Sequence, residues 1–391
     1  MNKKKSILFV NGHLNVGGVE KALVDLLRWI DYDVFDVDLL LIEGEGDYRS
    51  QLPDQVRVIQ NDHSSIEGPF LKVLIENLKA LHFNNIFYRS IQTLARVFGS
   101  GFLRLLKPLL PIRKHYDVSV AFRPGHYAEI ARYAVSADRK FCWWHHGEVV
   151  GSDKEKQDLS RLLGGFDKVI VVSSGCIRLL QESLGIPEDY IVVIPNIIDA
   201  DGISKSAGNE DPYGSDKRFR IVTLSRLSEE KHIVDVVEAA SLLVGKLDFV
   251  WYIVGDGPER DSISRRIREL HLDDRIVLAG NLVNPYPFLK YSDLFVHPSH
   301  VESLCIAVLE AMALEKPCLV VRSLGPESYI QDRHNGILID KGPEAIAQGV
   351  LEIKSMDDDA IDSIRKQGRQ LLSKAFSPAY VMSKLNQLVD G

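Results

Sequence analysis

The stretch Glu302-Ser-Leu-Cys-Ile-Ala-Val-Leu-Glu310 constrains this chain more than any other. It follows a strand-like run, Leu294–His297, and a short loop, Pro298–Glu302, and it opens a helix reading Ile306-Ala-Val-Leu-Glu-Ala-Met-Ala-Leu. Glu310 is flanked by Leu309, Ala311, Met312, Ala313 and Leu314, so little of that helix can face water. An ionised carboxylate on such a helix is costly unless something neutralises it or donates hydrogen bonds to it. The helix start beside Glu302 offers unpaired backbone N–H groups and a positive dipole end, where a phosphate can sit. Glu310 lies about two turns further on, roughly 12 Å away along the axis. One carboxylate next to an anion site and a second at that distance suit a nucleotide sugar. Glu302 would reach sugar hydroxyls and Glu310 ribose hydroxyls. On its own, Glu310 could instead be an ordinary surface residue of an amphipathic helix.

Upstream residues weigh against that alternative. Ile221-Val-Thr-Leu-Ser-Arg226-Leu-Ser-Glu-Glu-Lys231-His reads as a β-branched strand and a polar turn, followed by a helix over Ile233–Leu243. Arg226 and Lys231 therefore lie on a loop at the carboxyl end of a strand, where open α/β sheets bind ligands. Two cations there suit a diphosphate, Arg226 gripping bidentately and Lys231 acting as a point charge. Either could alternatively be a solvated loop charge paired with Glu229 or Glu230.

These motifs, taken in order, resemble a known family. Ser-Arg226-Leu-Ser-Glu-Glu-Lys231, Val254-Gly-Asp-Gly-Pro-Glu, Ala279-Gly-Asn, Asn284-Pro-Tyr-Pro-Phe-Leu-Lys-Tyr-Ser-Asp293 and the Glu302/Glu310 pair are similar to the family-4 retaining glycosyltransferases of the GT-B fold, of the bacterial surface-polysaccharide type. Gly17-Gly18-Val-Glu20 near the N-terminus adds to the set, and the resemblance is loosest from about 60 to 135. The chain departs from the family where Ser225 replaces a glycine before Arg226, and where Glu302-Ser303-Leu304-Cys305 stands for Glu-Gly-Phe-Gly. Those glycines let backbone approach a sugar closely, so the identity of the donor is what the departures put in question.

The resemblance implies two doubly wound, Rossmann-like α/β domains facing a cleft. Residues 1–200 would form an acceptor-binding domain, 201–217 a linker and 218–373 the nucleotide-sugar domain, with the helix in 374–391 packing back on the first. The pattern along the chain agrees, because short β-rich runs alternate with helical ones, as parallel sheets covered on both faces require. Strand candidates in the first half are Ile7–Val10, Phe35–Ile42, Val118–Phe122, Lys140–Trp144, Val169–Val172 and Ile191–Ile194. Among 391 residues, 45% apolar and 26% charged, there is room for two full cores. The four cysteines are far apart without metal-ligand spacing, and read as reduced, mostly buried thiols of a cytosolic protein. No apolar run approaches the roughly 18 residues that span a bilayer, and the apolar start is too short for a secretory signal. The expectation is a protein neither exported nor transmembrane.

Within the first half, Gly17 and Gly18 precede a helix and allow backbone to approach the donor sugar or its phosphate; a turn needing positive φ is the other explanation. Trp143-Trp144-His145-His146-Gly147 ends a strand-like run. The resemblance implies a histidine here touching the transferred sugar, His145 matching best and His146 second, although a strand-end histidine is more often structural. Asp36-Val-Asp38 has the form of a metal-holding acidic pair but shares one face of a strand. It reads as the polar face of an edge or half-exposed strand. Asp357-Asp358-Asp359 reads as a solvated helix start. No metal and no cofactor are expected.

From Pro69 to His115 eight Lys and Arg residues stand against one acid, Glu76, a local +7 in a chain of net charge −7. The same segment is rich in Leu, Ile and Phe. Basic helices with bulky apolar faces dock on anionic membrane surfaces, which would bring the cleft to a lipid-linked acceptor; two core-packing helices with a basic solvated side are the structural alternative. The acidic remainder and the lack of a nucleic-acid motif exclude nucleic acid as partner.

The reading is therefore a retaining, metal-independent glycosyltransferase, cytoplasmic and peripheral on the inner face of the membrane. It would move a hexose or N-acetylhexosamine from a nucleotide diphosphate sugar, UDP before GDP, to a glycan or lipid-linked glycan. Arg226 and Lys231 would hold the diphosphate with backbone at Ser303, Leu304, Cys305 and Ile306. Gly280, Asn281 and Leu282 would face the base. A nucleotide-sugar epimerase on the same fold, or a non-catalytic partner subunit, are the other two functions left open.

Overall fold

The structure, a computed structural model, describes residues 4–44, 46–60, 75, 77–78 and 83–391. Its strands form two parallel sheets. The first holds β1 (Lys5–Asn11), β2 (Phe35–Leu41), β3 (Arg57–Gln60), β4 (Tyr116–Ala121), β5 (Ala137–Trp144), β6 (Lys168–Val171) and β7 (Ile191–Val193), in the order β3-β2-β1-β4-β5-β6-β7. The second holds β8 (Phe219–Leu224), β9 (Phe249–Val254), β10 (Ile276–Gly280), β11 (Leu294–His297), β12 (Cys318–Val321) and β13 (Ile337–Ile339), in the order β10-β9-β8-β11-β12-β13. Every strand pair inside them is parallel. Parallel strands need long crossovers, and helices supply them; the strands, covered on both faces, are near-continuous apolar runs. This is the two-lobed GT-B architecture.

Strand order fixes where a ligand can sit. In each sheet the first strand has its successor on one side and its fourth companion on the other. The connections therefore part at the carboxyl ends of β1 and β4, and of β8 and β11, leaving a crevice there. The loops after β1, β4, β8 and β11 carry Gly17–Gly18, Arg123, Arg226–Lys231 and Glu302 respectively.

The structure adds to some local readings and changes others. β3 is a strand the alternation pattern did not single out. The segment read as a linker begins with a helix, Ala200–Ser206, capped by Asp199 and held by Arg369, which hydrogen-bonds Ala200 O and Asp201. Asp357 caps the helix Asp358–Ala375 by accepting from Ala360 N at 2.8 Å. The helix Pro378–Asp390 lies against the helix Gly18–Trp29, and Lys5 Nζ bonds Asp390 at 2.7 Å. Lys72, Glu76 and Lys79 of the basic segment lie outside the described residues.

Asp36-Val-Asp38 needs a correction. β2 is not an edge strand, because β3 pairs outside it. Asp38 is fully buried and accepts from Arg57 Nε at 2.8 Å and Tyr116 Oη at 2.6 Å, with Lys114 Nζ 3.1 Å away. Burial would raise its pKa, but these three donors outweigh it and hold the carboxyl below the usual range. The aspartate is a structural ion-pair centre tying β2, β3 and β4. Replacing Asp38 by Ala should cost about 2–3 kcal/mol in urea unfolding, less than the ~3–5 kcal/mol of a fully enclosed pair because Arg57 and Lys114 can turn to solvent.

Candidate functional site

A cavity of about 530 Å³ lies where the lobes meet. One wall is His145, His146 and Gly147 at the end of β5; the other is Glu230, Lys231, Glu302 and Ser303 from the loops after β8 and β11. The lobes touch here through backbone. Ser303 Oγ donates to His145 O at 2.8 Å, and Ser173 Oγ donates to Ser303 O at 2.6 Å. A Cβ on Gly147 would stand 2.7 Å from the carbonyl carbon of Glu302, so only glycine permits this approach.

On the second-lobe wall, Lys231 Nζ lies 2.7 Å from Glu302 Oε1, and His297 Nε2 bonds the same oxygen at 2.9 Å. Burial would raise the Glu302 pKa, but the hydrogen bond from His297 and the charge of Lys231 hold it at about 2. Burial would likewise lower that of Lys231, and Glu302 outweighs it, so Lys231 stays firmly cationic. The helix Ile306–Ala313 begins at Cys305 with no side-chain cap, leaving its first N–H groups without a side-chain acceptor. Cys305 sits at φ 67°, a left-handed conformation that costs a non-glycine residue about 1–2 kcal/mol.

On the opposite wall, the His145 ring stacks on Trp143 at 5.9 Å between centroids, and its Nε2 is sealed from solvent without a hydrogen-bond partner. Burial, then His146 and Arg123, push its pKa down to about 3. The ring is therefore neutral at working pH. His146 is exposed, with its ring edge-on to Trp144.

Other expected residues lie away from this cavity. Glu310 is buried as its apolar helix demands, and its Oε1 accepts from Tyr286 Oη at 2.9 Å. Lys21 Nζ, from the helix Gly18–Trp29 of the first lobe, comes within 3.3 Å of the same oxygen. Arg226 is exposed on the loop after β8. Gly17 and Gly18 open the first helix and neither has positive φ, so no strained turn is formed; a Cβ on Gly18 would meet nothing within 4 Å, whereas one on Gly17 would collide with a carboxylate oxygen of Glu20. Gly280, at φ 73°, ends the edge strand β10, followed by exposed Asn281 and half-buried Leu282.

Sequence reasoning missed Lys21, Tyr286, His297 and Arg123. Arg123 donates from the loop after β4 to Glu20 at 2.9 Å, and Glu20 is itself buried. Tyr286 sits in the Asn-Pro-Tyr-Pro motif, and Lys21 follows Gly-Gly-Val-Glu, so proximity to motifs was the available signal.

Comparison with known proteins fits this geometry. A model of group 1 glycosyl transferases matches residues 209–371, and one of Glycosyltransferase Family 4 matches residues 16–201. The chain is 27% identical to an N-acetyl-alpha-D-glucosaminyl L-malate synthase of Bacillus anthracis, over 66% of this chain and 69% of that one. It is 24% identical to a UDP-Gal:alpha-D-GlcNAc-diphosphoundecaprenol alpha-1,3-galactosyltransferase of Escherichia coli, over 95% and 93%. Among solved structures, Anabaena Alr3699/HepE in complex with UDP and glucose superposes with a TM-score of 0.75 at 18% identity, covering 99% of each chain.

The His145 environment has a consequence for stability. Its folded pKa of about 3 lies below the unfolded 6.5, so the unfolded chain binds the proton first as pH falls. The neutral ring's contribution is complete above about pH 6.5 and shrinks toward pH 3, by up to about 1.4 kcal/mol per pH unit. Urea unfolding from pH 7 to 4.5 should show this slope in the wild type and a shallower one in His145→Gln; equal slopes would contradict the assignment.

Proposed function

Because the chain belongs to the family-4 glycosyltransferases, we propose that it transfers a hexose or N-acetylhexosamine from a UDP-sugar to a hydroxyl of a lipid-linked or growing polysaccharide, keeping the anomeric configuration and needing no metal. The observation that carries this reading is the interlobe cavity, with Lys231 and Glu302 on one wall and His145 on the other. The nucleotide sugar binds residues 218–373, with its sugar at this cavity and its nucleoside beyond it, and the acceptor binds residues 1–200.

Lys231, joined by Arg226 swinging in from the rim, holds the diphosphate. The uncapped N–H groups at Leu304, Cys305 and Ile306 complete the anion site. As the bond between sugar and phosphate breaks, charge grows on the leaving diphosphate and these cations stabilise it. Glu302, kept ionised, accepts from sugar hydroxyls; Glu310 takes the ribose hydroxyls; Gly280–Leu282 borders the base. His145 meets the sugar from the first lobe as a neutral ring, and Gly17 and Gly18 let backbone approach the donor. The leaving phosphate takes the acceptor's proton on the face it vacates, which retains configuration.

The first lobe carries the membrane contact. Phe87 and Val97, on the helix Phe83–Phe98, are 61% and 68% exposed, and Leu105 is 54% exposed between the exposed cations Arg104 and Lys107. Among the described residues no helix is long and apolar enough to cross a membrane. The pattern suits adsorption to the anionic inner face, where a lipid-linked acceptor resides.

Incubation with UDP-hexoses and a diphospholipid-linked saccharide should give transfer, with an anomeric proton coupling that matches the donor's. Lys231→Ala should lower kcat by about 10²-fold; unchanged turnover would remove its role. The protein should sediment with phosphatidylglycerol vesicles at low salt, less so as salt rises, and Phe87→Ser with Val97→Ser should weaken this. Equal binding to neutral vesicles would dismiss the membrane reading.

A further inference from the structure

Three ligand-type atoms from one loop converge beside Lys231. His297 Nε2 lies 2.9 Å from Glu302 Oε1 and 3.1 Å from Cys305 Sγ, and all three atoms are within 4.8 Å of one another. His297 ends β11, Glu302 follows five residues on, and Cys305 begins the next helix, so a single turn of chain sets the whole arrangement. His297 and Cys305 are buried, while Glu302 borders the interlobe cavity. We infer that His297, Glu302 and Cys305 form a binding site for a thiophilic divalent ion such as Zn²⁺, whose occupation takes Glu302 away from the donor site.

The donor set selects the ion. Imidazole, thiolate and carboxylate together suit zinc, with bonds of about 2.0–2.3 Å, whereas magnesium demands oxygen ligands. Three protein ligands leave a fourth position for water. Burial pushes the Cys305 thiol well up, so it is protonated without the ion; on binding, the sulfur–metal bond forms as the thiol proton leaves to solvent. The same high pKa makes Cys305 a poor nucleophile and argues against an oxidative role for it. The ion would compete with Lys231 for the Glu302 carboxylate, whose Oε1 is already held by Lys231 and His297. His297 Nδ1 is buried without a partner, so no second group orients the ring from behind. That predicts an affinity below that of a structural zinc site. The thiol stands where the family resemblance has glycine, on strained backbone, so a glycine there removes one ligand of the three.

The inhibitory consequence rests on the donor-site reading; the binding itself does not. Titration of the full chain with Co²⁺ should give one equivalent with a thiolate-to-cobalt charge-transfer band, abolished by Cys305→Ser and by His297→Gln. A second trio, His232, Asp235 and His300, also gathers within 4.8 Å, but it has no sulfur and would give no such band. No band in the wild type, or a band surviving Cys305→Ser, overturns the site. Zn²⁺ should raise the KM for the donor, and Cys305→Ser should weaken that effect by roughly tenfold or more, each protein measured against its own metal-free rate. Equal effects in both proteins, or an equal effect of Mg²⁺, overturn the link to Glu302. An intact band with unchanged turnover in Lys231→Ala would instead fault the donor site and leave the metal site standing.

Discussion

The ion pair between Lys231 and Glu302 is the contact on which the arrangement of this cleft depends. Neither charge is tolerable alone at that depth, since a half-satisfied buried pair is worse than none. Both are set at the one place where the strand order of the second sheet opens a crevice, between the loops after β8 and β11. His297 adds a third group to the same oxygen, so the carboxylate is ionised and aimed before any ligand arrives. A phosphate placed at Lys231 would meet a cation whose position is already fixed by Glu302. The electrostatic term is then built into the fold rather than assembled on binding.

The two lobes share an apolar core that reaches Leu304, Val308 and Met312 of the second lobe, and beside it they meet through backbone and small side chains. Gly147 lies on Glu302, Gly175 on Leu324, and the hydroxyls of Ser173 and Ser303 bridge carbonyls across the seam. Contacts of this kind are short and directional, and contribute about 1 kcal/mol each net. They define a register between the lobes that apolar burial alone would not set. Ser303, one of the departures from the family's glycines, serves in that register: its hydroxyl makes the contact to His145 O that a glycine cannot make.

How much of this could be read from residues alone follows from the range of each interaction. Alternating β-branched runs and amphipathic helices disclosed parallel sheets, because periodicity is local. The helix Ile233–Leu243 and the strand Leu294–His297 fall where the sequence places them. Burial of Glu310 was legible for the same reason, its neighbours being apolar on every side. Its partners were not legible: Lys21 is 289 residues away, and nothing in Gly-Gly-Val-Glu-Lys announces a carboxylate in the other lobe. Asp38 failed in the opposite direction. Its spacing from Asp36 gave the right face of the strand, but only the pairing of β3 outside β2 shows that face to be covered at Asp38. For His145 the place at the end of a strand was legible from the residues around it, whereas the stacking on Trp143 and the loss of charge through burial were not.

Glu310 also shows what opening of the lobes would cost. Its oxygen is shared by Tyr286, from its own lobe, and Lys21, from the other. Lys21 bonds Asp25 as well, at 2.9 Å on the same helix. If the lobes part, Lys21 keeps a carboxylate through Asp25, and Glu310 keeps a hydrogen bond through Tyr286. Each charge thus retains a partner in both arrangements, and the open state avoids the stranded buried charge that normally costs ~3–5 kcal/mol. Lys231 and Glu302 behave differently, since both belong to the second lobe and their pair is indifferent to opening. Opening of the lobes would therefore leave the charged floor of the cleft intact.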